Sequence, residues 1–191
     1  MRNINQIGVS EPGSPQTGSL LVAHPSLRDP NFRQAVVFLA AHDPDGGSMG
    51  VVMNQSTGKT LGQCDPDYAG STLTDLPVCK GGPVAADQII LVAWRYTEEE
   101  GTFQLYFGID RTRAEQLIDP DSGFEVKAFI GHSGWSEGQL EEELEQDAWI
   151  LSRWLPELTK EDGVQLWRNI LLHEDPAMLL LLNEPEDPSL N

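Results

Sequence analysis

The residues in this chain best suited to chemistry lie in one short stretch, Gly131-His132-Ser133-Gly134-Trp135. A serine between glycines after a strand-forming run is what a nucleophile elbow requires. The glycines let the backbone bend tightly and present the serine oxygen. Gly131 and Ser133 meet that pattern, but the fifth position holds Trp135 rather than glycine. His173 follows with Asp147 and Asp162 before it, and His132 is a second candidate base, so a serine, acid, histidine order can be written. The helical region near His173 supplies no clear strand-end loop to deliver the acid and the base. A serine hydrolase using Ser133 is therefore the alternative. A tight structural turn before a capped helix is the leading expectation.

Other chemistry-bearing patterns are less complete. Ser56-Thr57-Gly58-Lys59-Thr60 resembles the end of a phosphate-binding loop, but Met53 stands where the leading glycine would have to wrap the phosphates. Gly81-Gly82-Pro83 carries no dinucleotide fingerprint and reads as a corner. His24, His42, His132 and His173 show no close pairing of metal-ligand type. Asp43-Pro44-Asp45-Gly46 lacks the further oxygen ligands and terminal glutamate of a calcium loop. Neither a metal nor a cofactor is expected. Core packing is the leading reading for Trp94, Trp135, Trp149, Trp154 and Trp167. Trp135, flanked by glycines, is the one with a competing reading as a ligand-facing ring.

The elements that position these residues sit in a chain of 191 residues, long enough for one sizeable core. Thirty acidic against 12 basic residues give a net charge of -18, which repels phosphate backbones and disfavours direct nucleic-acid binding. Arg111, Arg113 and Lys127 are the nearest candidates for a basic patch, and they are few. Cys64 and Cys79 are too few and too far apart for a disulfide framework. The start is polar, with no secretory leader, and the longest apolar run, Ala35 to Ala41, cannot span a bilayer. A cytoplasmic protein with no membrane partner is the expectation.

Residues 1–17 read as a flexible arm and 184–191 as an acidic flexible tail, leaving 18–183 as a single domain. Gly18 to Val22 reads as a short strand. Gln34 to Ala41 and Met49 to Asn54 read as a hairpin across the turn His42 to Gly47. Thr60 to Gln63 suits a helical turn, Gln88 to Trp94 and Phe103 to Ile109 are strands, and Arg111 to Ile118 is a short helix. Phe124 to Ile130 is a strand leading into the Gly131 turn. Ser136-Glu137-Gly138-Gln139 has the form of a capping box for a helix with Leu140 and Leu144 inward. Trp149 to Leu155 fits helix or strand. A helix with Leu166, Trp167, Ile170 and Leu171 inward follows, then a last short one through Leu182. Strands first and helices in the final third point to an α+β fold with a mainly antiparallel sheet.

Taken in order, three stretches resemble the AlgH/YqgE family of bacterial proteins. They are Gly18 to Thr57, Gly81 to Val84 and Gly131 to Trp149. The shared positions are Pro25, Phe32, Gly50, Asn54, Gly81, Gly82, Pro83, Gly131, Gly134, Trp135, Gly138 and Gln139. The resemblance implies a sheet curled into a barrel-like form and makes Trp149 to Ser152 a strand. The family is labelled a transcriptional regulator, and the resemblance implies no catalytic roles. His132 and Ser133 stand where the family has an aromatic and a small residue, which argues against Ser133 as a family nucleophile. The expected function is a non-enzymatic cytoplasmic binding or regulatory protein, with a protein or small ligand as partner. A serine hydrolase and a direct transcriptional regulator are the alternatives. The candidate surface comprises Asn54, Gly81, Gly82, Pro83, His132, Ser133, Gly134, Trp135 and Gln139, because glycines let backbone amides approach a partner closely.

Overall fold

The computed structural model describes residues 2–8, 14–97, 102–157 and 160–182. Its strands are β1 (Arg2–Gly8), β2 (Leu20–Ala23), β3 (Val36–Asp43), β4 (Gly47–Val52), β5 (Ser56–Thr60), β6 (Pro77–Lys80), β7 (Val84–Thr97), β8 (Thr102–Phe107), β9 (Glu125–Trp135) and β10 (Trp149–Ser152). Its helices are α1 (Leu61–Cys64), α2 (Arg111–Leu117), α3 (Gln139–Glu145), α4 (Gly163–Glu174) and α5 (Met178–Leu182). The strands form one sheet, in the order β1-β8-β7-β9-β4-β3-β2-β10, with β6 and then β5 joined beside β9. The fold is α+β, and the sheet curls into half a barrel. It is mixed rather than antiparallel throughout, since β6 runs parallel to β9.

Period-two alternation decides which side chains meet. On β7, Val92 and Trp94 enter one apolar cluster, while Leu91 and Ala93 enter another. On β9, Phe129 joins the first cluster, and Val126 and Ala128 the second. The first cluster also takes in β2, β3 and the inner face of α4 (Leu166, Trp167, Ile170 and Leu171), so it lies in the concavity of the sheet. The second is closed by α1 and α2 through Leu61, Ala114 and Leu117. Strands buried on both faces read as apolar runs, which is why β3 was visible in the sequence.

Helices α3, α4 and α5 follow β9, with β10 between α3 and α4, while α1 and α2 stand among the strands at the expected helical turn and short helix. Two expectations need correction. Arg2–Gly8, expected within a flexible arm, is a strand antiparallel to β8. The Gly131 segment is not a turn: β9 runs through it to Trp135. The expected tail over 184–191 lies outside the described residues. Trp149 to Ser152 is a strand, paired with β2.

Candidate binding surface

The site begins with a change of neighbour along β9. One edge of β9 pairs with β7, from Trp94 opposite Glu125 to Val84 opposite His132. The other edge pairs first with β6, Val78 to Lys80 against Ala128 to Ile130. It then pairs with β4, Ser48 to Gly50 against Trp135 to Ser133. Gly131, at φ +69°, stands at the changeover. There the Gly81-Gly82 backbone crosses β9 so closely that side chains are excluded. A Cβ on Gly131 would lie 2.5 Å from the Gly82 carbonyl oxygen and 2.8 Å from that of Val84. A Cβ on Gly81 would strike the Gly131 carbonyl oxygen, and one on Gly82 the His132 carbonyl. Close approach, and not ligand access, is what these glycines supply.

The hydrogen bonds at the crossing are internal. The Gly81 amide donates to the Ile130 carbonyl at 2.8 Å, and the Gly81 carbonyl accepts from the Val52 amide at 2.9 Å. Ser133 is fully buried at 0% exposure, and its hydroxyl donates to that same Gly81 carbonyl at 3.1 Å. Its bond partner is therefore a carbonyl and not a base. His132 Nδ1 lies 3.2 Å from the Ser133 carbonyl oxygen, and His173 sits beside Glu174 at 3.6 Å. The arrangement the hydrolase reading requires is not formed.

Asn54 is also buried and engaged. Its Oδ1 accepts from the Val36 amide at 2.8 Å, and its Nδ2 donates to the carbonyls of Gln34 at 2.8 Å and Gly163 at 2.9 Å. It ties the start of β3 to the first residue of α4 and takes no part in an exposed surface. Trp135, 6% exposed, is core. It stacks on Phe32 at 6.3 Å and meets Trp149 edge-on at 5.9 Å.

Sequence reasoning missed the group that organises these rings. Glu143 Oε2 accepts from Trp135 Nε1 at 2.8 Å and from Trp149 Nε1 at 2.7 Å, while its Oε1 accepts from Gln139 Nε2 at 2.8 Å. Through these bonds Glu143 fastens α3 to β9 and β10. Half of the expected capping box forms, since Gln139 Oε1 accepts from the Ser136 amide at 3.0 Å. The helix itself is capped by Gly138.

His42, Ser48 and Glu141 also meet unannounced. His42 Nδ1 lies 2.8 Å from Ser48 Oγ, and Nε2 lies 3.6 Å from Glu141 Oε1. Ser48 is 8% exposed and held in the β4 ladder opposite Trp135, so its oxygen offers no open face to a carbonyl substrate. Burial pushes the Cys79 thiol up, with Lys127 opposing and Asp162 adding to the shift, so a thiolate nucleophile is disfavoured there. No cluster of three or more His, Cys, Asp or Glu suited to a metal is found among the described residues.

What remains exposed of the candidate set is a rim beside the crossing. Pro83, Gly134 and Gln139 are exposed and His132 is half-buried. Val84, which was not singled out, is 43% exposed. Gly134 joins them: a Cβ there would sit 3.8 Å from Val84 Cγ2 and 3.9 Å from His132 Cε1. The three cations considered for nucleic acid do not share a face. Arg111 pairs with Glu115 at 2.8 Å and Arg113 lies over the Tyr106 ring at 5.5 Å, both on α2. Lys127, opposite Val92, belongs to the concave face.

A family model described as AlgH-like matches residues 20–178. A UPF0301 protein of Streptomyces coelicolor is 35% identical over 190 residues, covering 92% of this chain and 95% of its own. One of Streptomyces avermitilis is 34% identical, with the same coverage. The solution structure of the AlgH protein from Pseudomonas aeruginosa is similar at TM-score 0.63 and 24% identity, covering 93% of this chain and all of that one. The crystal structure of a Corynebacterium diphtheriae protein is similar at TM-score 0.66 and 20% identity, covering 90% and 93%. The chain belongs to the AlgH-like family. The two solved structures bear on fold alone.

Proposed function

We propose that the protein is a non-enzymatic cytoplasmic binding protein of regulatory type, acting through the rim Pro83, Val84, His132, Gly134 and Gln139. The observation that carries this reading is Val84, an exposed aliphatic side chain paired across the strands with His132 and close to Gly134, beside the backbone crossing. A small apolar contact on a fixed scaffold, with polar groups around it, is the form of a protein-binding patch. The acidic balance favours a partner with a cationic rim over a phosphate backbone. No helix among the described residues is long and apolar enough to cross a membrane.

The test is affinity capture from lysate with wild type, Val84→Asp and Gly134→Val, each first shown to be folded by circular dichroism. Shared loss of the same captured protein from both variants is expected. Unchanged capture by both would remove the rim from the account.

A further inference from the structure

On the concave face of the sheet, two hydrogen-bond donors lie on neighbouring strands with no protein acceptor among the described residues. Trp94 is 1% exposed, and its indole Nε1 has no hydrogen-bond partner among the described residues. A buried donor left unpaired costs free energy, and native interiors rarely tolerate one without a reason. The other donor is the Lys127 ammonium, which makes no hydrogen bond or ion pair among the described residues.

Register places the two together. Lys127 is opposite Val92 and Glu125 is opposite Trp94, so Trp94 and Lys127 are diagonal neighbours on one face. Such diagonals are roughly 7 Å apart at the backbone, within reach of long side chains. Three observations identify that face as the concave one. Val92, Trp94, Phe129 and Cys79 share its cluster; Phe129 and Cys79 are paired across β6 and β9; and Lys127 acts electrostatically on the Cys79 thiol. The walls around Trp94 are aromatic. Phe38 lies 5.8 Å from its ring and Trp154 5.7 Å, with Phe103 5.4 Å from Trp154. Trp154 is half-buried on the irregular stretch after β10, so it is the ring against which an incoming flat molecule would pack.

We propose that this face is a binding site for a small aromatic monocarboxylate, with Lys127 and the Trp94 indole N–H each donating to the carboxylate. Two donors match the two oxygens of a monoanion, and a phosphate would leave further oxygens unserved. The net charge of -18, with Glu125 opposite Trp94 on the same face, repels multiply charged ligands more than single ones. Aromatic walls with a few convergent polar groups are the usual composition of a small-molecule site. The site is independent of the exposed rim proposed above.

The probe is 2-naphthoate, titrated into the full ¹⁵N-labelled chain while the indole N–H resonances are followed. The Trp94 signal is assigned by its absence in Trp94→Phe. A saturable shift of that signal is expected. Lys127→Gln should weaken affinity by about tenfold or more, and the neutral analogue 2-naphthalenemethanol should lose a similar factor. Lys59→Gln, at an exposed lysine on β5, should bind as wild type, as should Val84→Asp. Should Trp94→Phe fail to fold, the half-buried Lys127→Gln carries the test. Any one of three outcomes overturns the proposal: no saturable shift of an indole signal up to the solubility of the probe, affinity unaltered in Lys127→Gln, or inorganic phosphate binding as well as naphthoate.

Discussion

The backbone crossing at Gly81-Gly82 and Gly131, and the concave face at Trp94 and Lys127, are built in opposite ways. At the crossing the polar groups are consumed internally: the Gly81 carbonyl serves the Val52 amide and the Ser133 hydroxyl, and the Gly81 amide is bonded to Ile130. On the concave face, two donors have no protein acceptor among the described residues. The crossing is rich in motif and poor in free chemistry, and the concave face is the reverse. Glycine-rich signatures mark where backbone must touch backbone, and such contacts satisfy themselves. Unsatisfied groups arise where side chains from separate strands converge, and no short motif records that.

The comparison can be broken most forcefully at Gly131. Gly131→Ala combines a left-handed φ with two carbonyl oxygens inside contact distance. A loss of about 3 kcal/mol or more is expected by urea denaturation. A loss below about 1 kcal/mol would mean the crossing has room to spare. Glu143→Ala comes next. It strands the N–H groups of the buried Trp135 and Trp149 at once, for an expected loss of about 2 kcal/mol and a change in tryptophan fluorescence. Ser133→Ala removes one hydroxyl-to-carbonyl bond, with an expected cost of about 1 kcal/mol. Wild type should take up no fluorophosphonate at Ser133. Labelling there, read by peptide mass spectrometry, would restore the nucleophile and reverse the comparison.

Much of the sheet was legible in advance. The apolar runs at Ala35 to Ala41 and Gln88 to Trp94 are local signals, and they became β3 and part of β7. The continuation of β9 was not, because Gly131 and Gly134 carry turn chemistry and the bonds that extend the strand come from β4, far back in the chain. β5 and β6 were missed because Ser56 to Thr60 is polar throughout and Pro77 to Lys80 is very short. Three members of the candidate surface, Asn54, Ser133 and Trp135, are buried for a related reason. Asn54 and Ser133 are small polar residues that composition assigns to the exterior. Their bonds reach across 109 residues to Gly163 and 52 residues to Gly81, and those bonds permit burial. Trp135 looked free because its glycine neighbours are small, yet its partners Phe32, Glu143 and Trp149 come from elsewhere. Family resemblance was readable because it rests on residue order alone.

Whether the crossing is a scaffold joint or a mobile binding loop is decided most directly by native-state amide hydrogen exchange. The amides to follow are Val52, which donates to Gly81, and Gly81, which donates to Ile130. Met53, which donates to Val36 within the core, is the reference. A joint opens only when the domain unfolds, whereas binding loops open locally at low free energy. Val52 and Gly81 are expected to exchange with the same opening free energy as Met53. Exchange at those two amides near the rate of an open loop, with Met53 still protected, would contradict the structural role assigned to the signature.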